Sequence, residues 1–286
     1  MPGARREPII PCGLSSEKKE RINQFVHLLE KERPEIDKTL ITEQEFWAAI
    51  ERLRGTHAAT MTDKRAFMKA VLDHLKSLGQ IVTWRFTGTG ERHDYEATLP
   101  DGRMSIIETK GCLDGNNTNI FERPPQADEF LIWSLCQNAG ADPDKNAWSG
   151  IQTRLSAEII HRQQKVDGVV IWDWLCAASR TCPKVTADPS RLTVVGTMNL
   201  PPPCLYLLPR TLPDPRNNPT PACWRLEEIG LMRALWEVFK GDGADAVQVF
   251  IEARMAGVNV QRRTRYVRGG IDLGASKWST IKRARR

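Results

Sequence analysis

The stretch His93–Gly111, HDYEATLPDGRMSIIETKG, decides how this chain is read. Two short runs flank Pro100-Asp101-Gly102, a turn in which Pro pre-sets the first central position and Gly is free to take positive φ. The stretch therefore reads as a β-hairpin. A three-residue loop closing between Leu99 and Arg103 sets Asp94 directly opposite Glu108 and Glu96 opposite Ile106. A two- or four-residue loop pairs Glu108 with Tyr95 or His93 instead. In the three-residue register, strand alternation gathers Asp94, Glu96, Glu108 and Lys110 on one face and turns Thr109 away.

Two carboxylates facing each other across a hairpin repel, unless a cation lies between them. Oxygen ligands suit Mg²⁺, with Mn²⁺ as its substitute, because such an ion keeps several waters and binds substrate phosphate directly. Asp94 and Glu108 are the expected metal ligands. The ion polarises a phosphodiester and lowers the pKa of a bound water, and Lys110 orients or deprotonates that water or stabilises the charge developing at phosphorus. A Glu-x-Lys pair on a strand is common, and most such pairs are solvated surface charges. This one differs in following Ile106-Ile107, a run that demands burial yet delivers charge at its end. His93 and Glu96 are candidates to stand behind the ligands and hold them in place.

Before the hairpin the chain reads as helical. Ser15 and Ser16 precede a periodic stretch through Ile22, Phe25, Val26 and Leu29 that Pro34 closes, and Thr42 with Glu45 forms a capping box ahead of Phe46, Trp47 and Ile50. A third helix starts near Thr62, buries Phe67, Met68, Val71, Leu72, Leu75 and Leu78, and stops at Gly79. A strand over Ile81–Phe86 follows. Beyond the hairpin, 112–150 is long and polar apart from Phe130–Cys136, which reads as a strand or a short helix. Ser149 caps a helix with Ile151, Leu155, Ile159 and Ile160 on one side, and VDGVVIWDWL is a buried strand. Asp167 and Asp173 flank that strand. A strand over Leu192–Met198 leads to Pro201–Pro221, where eight prolines exclude regular structure. A helix over Leu226–Phe239 and two strands, Ala246–Arg254 and Val258–Val267, complete the chain. The expected segments are a helical 1–60, a core over 61–200, and a 201–286 segment packed on that core.

Composition excludes several classes. With 286 residues, 41% of them apolar, the chain has enough material for a sizeable core. Its apolar runs are too short to cross a membrane and its N-terminus lacks a signal-peptide hydrophobic region, so a soluble cytoplasmic protein without membrane association is expected. Seven cysteines at irregular spacing, with no CxxC, form neither a disulfide framework nor a zinc knuckle. The net charge of +6 is concentrated at one end: Gln261–Arg286 holds nine Lys and Arg against one Asp, and the remainder is net −2. That asymmetry points to a polyanion, nucleic acid before membrane.

The order helix, strand, hairpin with Asp94 and then Glu108-Thr109-Lys110, helix, strand resembles the PD-(D/E)xK nuclease superfamily, and the basic, insertion-rich surroundings resemble its type II restriction endonucleases. The likeness covers residues 62–175. It implies an α/β (α+β) fold with a mixed central sheet flanked by helices, Mg²⁺-dependent cleavage of double-stranded DNA, and often a homodimer on a two-fold symmetric site. By position in the motif, Asp94 and Glu108 are again the metal ligands and Lys110 the signature lysine. His93 stands where the motif has Pro, and the insertion 112–150 precedes the following helix. A structure-specific or repair nuclease, or an idle DNA-binding module, are the alternatives.

Candidate DNA contacts lie elsewhere along the chain. Asn116, Asn117 and Arg123 follow the site in a loop rich in amides; Arg154 and Arg162 sit on the next helix; Arg210 and Arg216 lie in the proline-rich segment. In the C-terminal hairpin Gln261, Arg263 and Arg265 share one face, suited to a phosphate backbone or a groove. A charged edge strand that blocks aggregation is the competing explanation.

Overall fold

The computed structural model describes residues 16–30, 43, 45, 46, 49, 61–88, 93–110, 123–134, 166–172, 189–211 and 213–280. Two helices come first, α1 (Ser16–Glu30) and α2 (Met61–Ser77), and then five strands: β1 (Thr83–Phe86), β2 (Tyr95–Thr98), β3 (Met104–Lys110), β4 (Glu129–Ser134) and β5 (Gly168–Ile171). After these come β6 (Thr193–Val195), β7 (Met198–Leu200), β8 (Cys204–Leu207) and helix α3 (Gly230–Val238). The chain closes with β9 (Ala246–Ala256), β10 (Asn259–Arg268), β11 (Ile271–Ala275) and β12 (Ser279–Thr280). All strands but β6 and β7 form one ten-stranded sheet in the order β1-β2-β3-β4-β5-β8-β9-β10-β11, with β12 beside β10. The pairs β3–β4, β4–β5 and β8–β9 are parallel and the rest antiparallel. The protein is thus mixed α/β, with a large mixed sheet flanked by helices.

The hairpin folds in the three-residue register. Gly102 N–H donates to Leu99 O at 2.9 Å and Leu99 N–H to Arg103 O at 2.8 Å, a type I turn closed by Gly102 at φ 84°. Tyr95 then pairs with Ile107 and Glu96 with Ile106.

Alternation along each strand builds two cores. On one face Ile107, Leu131, Trp133, Val170, Leu205 and Leu207 pack against Phe67, Val71 and Leu75 of α2 and Leu231, Met232 and Leu235 of α3. Trp133 and Trp172 stack here with ring centroids 5.7 Å apart, and Phe67 meets both edge-on. On the other face Ile106, Phe130, Ile132, Val169, Ile171, Tyr206, Val247 and Val249 form the second core. β4 and β5 are buried on both faces, which explains why FLIW and GVVI read as unbroken apolar runs.

Several expectations are corrected. Leu78 is 53% exposed, because α2 ends in a Schellman turn: Gln80 N–H reaches Leu75 O and Gly79 N–H reaches Lys76 O, with Gly79 at φ 71°. That turn swings Leu78 off the apolar stripe. Leu192–Met198 is no single strand. It bends at Gly196 (φ 61°) into the separate β6–β7 hairpin. The proline-rich segment contains β8, at the centre of the sheet. Pro201–Pro203 precede it and Pro209 follows, so Cys204–Leu207 keeps every N–H for pairing with β5 and β9. The sheet consequently runs unbroken across residue 200, and the later strands extend it instead of packing upon it. The helix expected over Leu226–Phe239 is one 3₁₀ turn, Leu226–Glu228, then an extended Ile229 and α3. β10 is no edge strand, lying between β9 and the β11 and β12 segments, which were not foreseen. The helix assigned from Ser149, Thr42 and most of 112–150 lie outside the described residues.

Candidate functional site

The hairpin places Glu96 and Glu108 on the face of the second core. Glu108 pairs with Ile132 of β4, and Ile106 and Ile132 both belong to that core. Asp94 immediately precedes β2, its N–H donating to Ile107 O at 3.1 Å, so it stands across from Glu108 in the ladder. Glu108 is 5% exposed. Its carboxylate is therefore delivered at the end of a buried run, as the sequence indicated.

Asp94 is held from several sides. Thr87 N–H donates to its carbonyl at 3.0 Å, and the Thr87 hydroxyl to that of His93. Its Oδ2 accepts from Thr109 N–H at 2.8 Å and from the Thr109 hydroxyl. Thr109, expected to turn away, thus fixes the carboxylate. Oδ1 of Asp94 has no hydrogen-bond partner among the described residues. Lys110 ends β3 two positions beyond Glu108, its backbone paired with Ser134.

His93 and Glu96 are paired with each other. His93 Nε2 lies 2.9 Å from Glu96 Oε1, and Arg85 Nε on β1 donates to Glu96 Oε2 at 2.5 Å. Burial opposes the Glu96 charge, yet the hydrogen bonds from Arg85 and His93 outweigh it and hold the carboxyl below its ordinary range. His93 is itself buried, and its Nδ1 lacks a partner among the described residues. On the opposite face, burial first and then the Asp94 charge push the Tyr95 phenol up to about 12, which keeps it neutral. Arg85 was missed in the sequence, where nothing local ties it to a glutamate eleven positions on.

The candidate DNA contacts fare unevenly. Arg123 is structural: it donates to Ala127 O at 3.1 Å, to Asp128 O, and to Asp167 Oδ1 at 2.9 Å, fastening the start of β4 to the start of β5. Asp167 also accepts from Phe130 N–H, which agrees with its reading as a strand flank. Burial, countered by Arg123, raises the Asp167 carboxyl above its ordinary value. Arg210 pairs with Glu228 and lies 5.0 Å from the Trp224 ring. Arg216 is exposed in the turn Asp214–Asn218, where its N–H donates to Asp214 Oδ1 at 2.9 Å. Arg263 and Arg265 both bind Glu252. Asn116, Asn117, Arg154 and Arg162 lie outside the described residues.

Among the described residues no group of three or more His, Cys, Asp and Glu side chains is placed to hold a metal. Mg²⁺ commonly needs only one or two carboxylates, its other ligands being water and phosphate. Asp94 and Glu108 meet that requirement in number and chemistry. Among the described residues no helix is long and apolar enough to cross a membrane. No protein-family model, curated protein sequence or solved structure matches the chain.

Proposed function

We propose that this protein is a metal-dependent endonuclease hydrolysing phosphodiester bonds in double-stranded DNA, on a variant of the restriction-endonuclease-like fold. The observation that carries the reading is the hairpin register, which sets Asp94 across from a buried Glu108. Two carboxylates facing each other across the ladder, Glu108 buried and Asp94 half-buried, suit a divalent cation between them. Asp94 and Glu108 would hold Mg²⁺, or Mn²⁺ in its place, and the ion would supply Lewis acidity toward a phosphate oxygen. Thr109 aims Asp94 through its N–H and hydroxyl and leaves one carboxylate oxygen for the ligand. Lys110 provides the cationic group that meets charge developing in the transition state. The pair His93–Glu96, tied to β1 by Arg85, fixes the segment from which Asp94 projects. Sequence specificity of the type II kind and a homodimer on a two-fold site belong to the same proposal.

One observation favours a second reading, an idle DNA-binding module. Asp94 Oδ2 already takes two hydrogen bonds from Thr109, a role that needs no metal.

Plasmid digestion with Mg²⁺, Mn²⁺ and EDTA tests the two. The nuclease reading expects cleavage that EDTA stops and that Glu108→Ala and Asp94→Asn abolish, while binding in Ca²⁺ persists. Asp94→Asn keeps an acceptor for Thr109, so its loss of activity reports on charge. Lys110→Ala should lower turnover steeply with little change in affinity. Cleavage by Glu108→Ala at the wild-type rate would discard the site. DNA binding without cleavage by the wild-type chain under every metal tried would favour the idle module.

A further inference from the structure

The ribbon of β9 and β10 carries a second assembly of charge, remote from the hairpin. β9 pairs with β8 only over 246–248, and its next eight residues pair with β10 alone, so the ribbon runs on for about 26 Å. One side of it, with Val249, Ile251 and Ala253, is buried. The other side sets Glu252 opposite Arg263 and Arg254 opposite Gln261. Glu252 Oε1 accepts from Arg265 Nε at 2.9 Å and Oε2 from Arg263 Nε. Arg254 and Arg263 both lie against the Trp278 ring, at 4.2 and 4.9 Å, and Arg265 lies 4.6 Å from the Phe250 ring. Three guanidinium groups are thus held in place by aromatic rings and one carboxylate, so their side-chain entropy is already spent before any ligand arrives. Glu252 and Asp272 offset only part of this charge.

We propose that this arginine face is a nucleic-acid backbone site separate from the hairpin. Arg263 and Arg265 are two residues apart on one strand, about 7 Å, a separation suited to successive phosphates. Planar guanidinium groups lying on aromatic rings suit phosphate oxygens, and the exposed apolar side chains of the ribbon, Met255 and Val258, lie at its turn beyond the three arginines. The place of the face in the sheet sets its task. β10 stands five strands from β3, about 24 Å. The pairs Leu205 with Ala246 and Leu207 with Gln248 also put Glu252 and Arg254 on the Trp133 side of the sheet, opposite to the side that carries Glu108. A duplex held by the ribbon is therefore a different segment from one lying on the hairpin, and its capture is independent of the hairpin's chemistry.

The test is fluorescence anisotropy of the full chain with a labelled random-sequence duplex, in EDTA, over a series of salt concentrations. Arg254→Ala with Arg263→Ala should lower the magnitude of the log affinity against log salt slope by about 1.8, near 0.9 for each phosphate no longer neutralised. Arg254→Lys with Arg263→Lys should keep the wild-type slope. A wild-type slope in the alanine pair overturns the proposal. So does a lysine pair that fails as badly as the alanine pair, because the arginines would then serve only the fold. Equal arginine dependence on phosphatidylserine vesicles, without duplex binding, would assign the face to membranes and overturn it as well.

Discussion

Glu129 does at the residue scale what no local pattern announces. From the start of β4 it accepts Gly230 N–H at 2.5 Å on Oε1 and Leu231 N–H at 3.1 Å on Oε2, and Arg103 lies 2.9 Å from Oε1. A carboxylate more than a hundred residues away in the chain thus caps α3 and meets the positive end of its dipole. Gly230 sits there because a Cβ would come within 2.6 Å of Leu99 Cδ1 and 3.2 Å of Glu129 Oε1. Glu129→Ala removes the acceptor of two helix N–H groups and of Arg103 Nη1, while Arg103 Nε keeps Asp101, and should cost about 3 kcal/mol in urea unfolding, with Glu129→Gln costing less. Glu96 makes a pH-dependent contribution. Its carboxyl is held low in the fold, so the stability it adds is full above the range where the unfolded chain titrates. That stability fades as pH falls through the lowered folded value. Glu96→Gln should therefore flatten the acid side of the stability profile, measured as urea midpoint from neutral pH downward. The partners of Glu129 were not legible in the sequence because α3 lies about a hundred residues further on, and Arg85 was not because only the pairing of β1 with β2 brings it beside Glu96.

At the scale of elements, legibility followed how local the deciding physics is. The hairpin register was readable because Pro100-Asp101-Gly102 dictates its own turn, and with it the opposition of Asp94 and Glu108. The end of α2 was readable for the same reason. Gly79 at φ 71° completes the Schellman turn with open space around it, so Gly79→Ala should cost about 1 kcal/mol of left-handed strain and Gly79→Asn less. A shifted urea midpoint at unchanged slope would report it. β8 was missed because the prolines around it are visible in sequence, while its neighbours β5 and β9 are supplied only by the tertiary fold. Thr109 was misjudged because alternation describes a strand's interior, and Asp94 lies just before β2, where its side chain can turn back to a neighbour on β3.

For the whole molecule, composition and patterning gave the mixed α/β class, and the sheet's continuity was beyond them. The insertion of β8 between β5 and β9 has a consequence for how the protein is made. β5 leaves the ribosome about thirty residues ahead of β8, and at roughly 5–20 residues per second the nascent sheet spends seconds with a bare edge. Val169, Val170 and Ile171 line that edge with unpaired N–H and C=O groups among apolar side chains, a template for another chain's strand. A chain stopped after Leu200 holds this unfinished state permanently. It should collect in the insoluble fraction or on chaperones while the full chain stays soluble, and a soluble, cooperatively unfolding 1–200 fragment would refute the idea. Translation speed through the prolines before Cys204 thereby becomes a determinant of yield, since every pause there lengthens the life of the open edge.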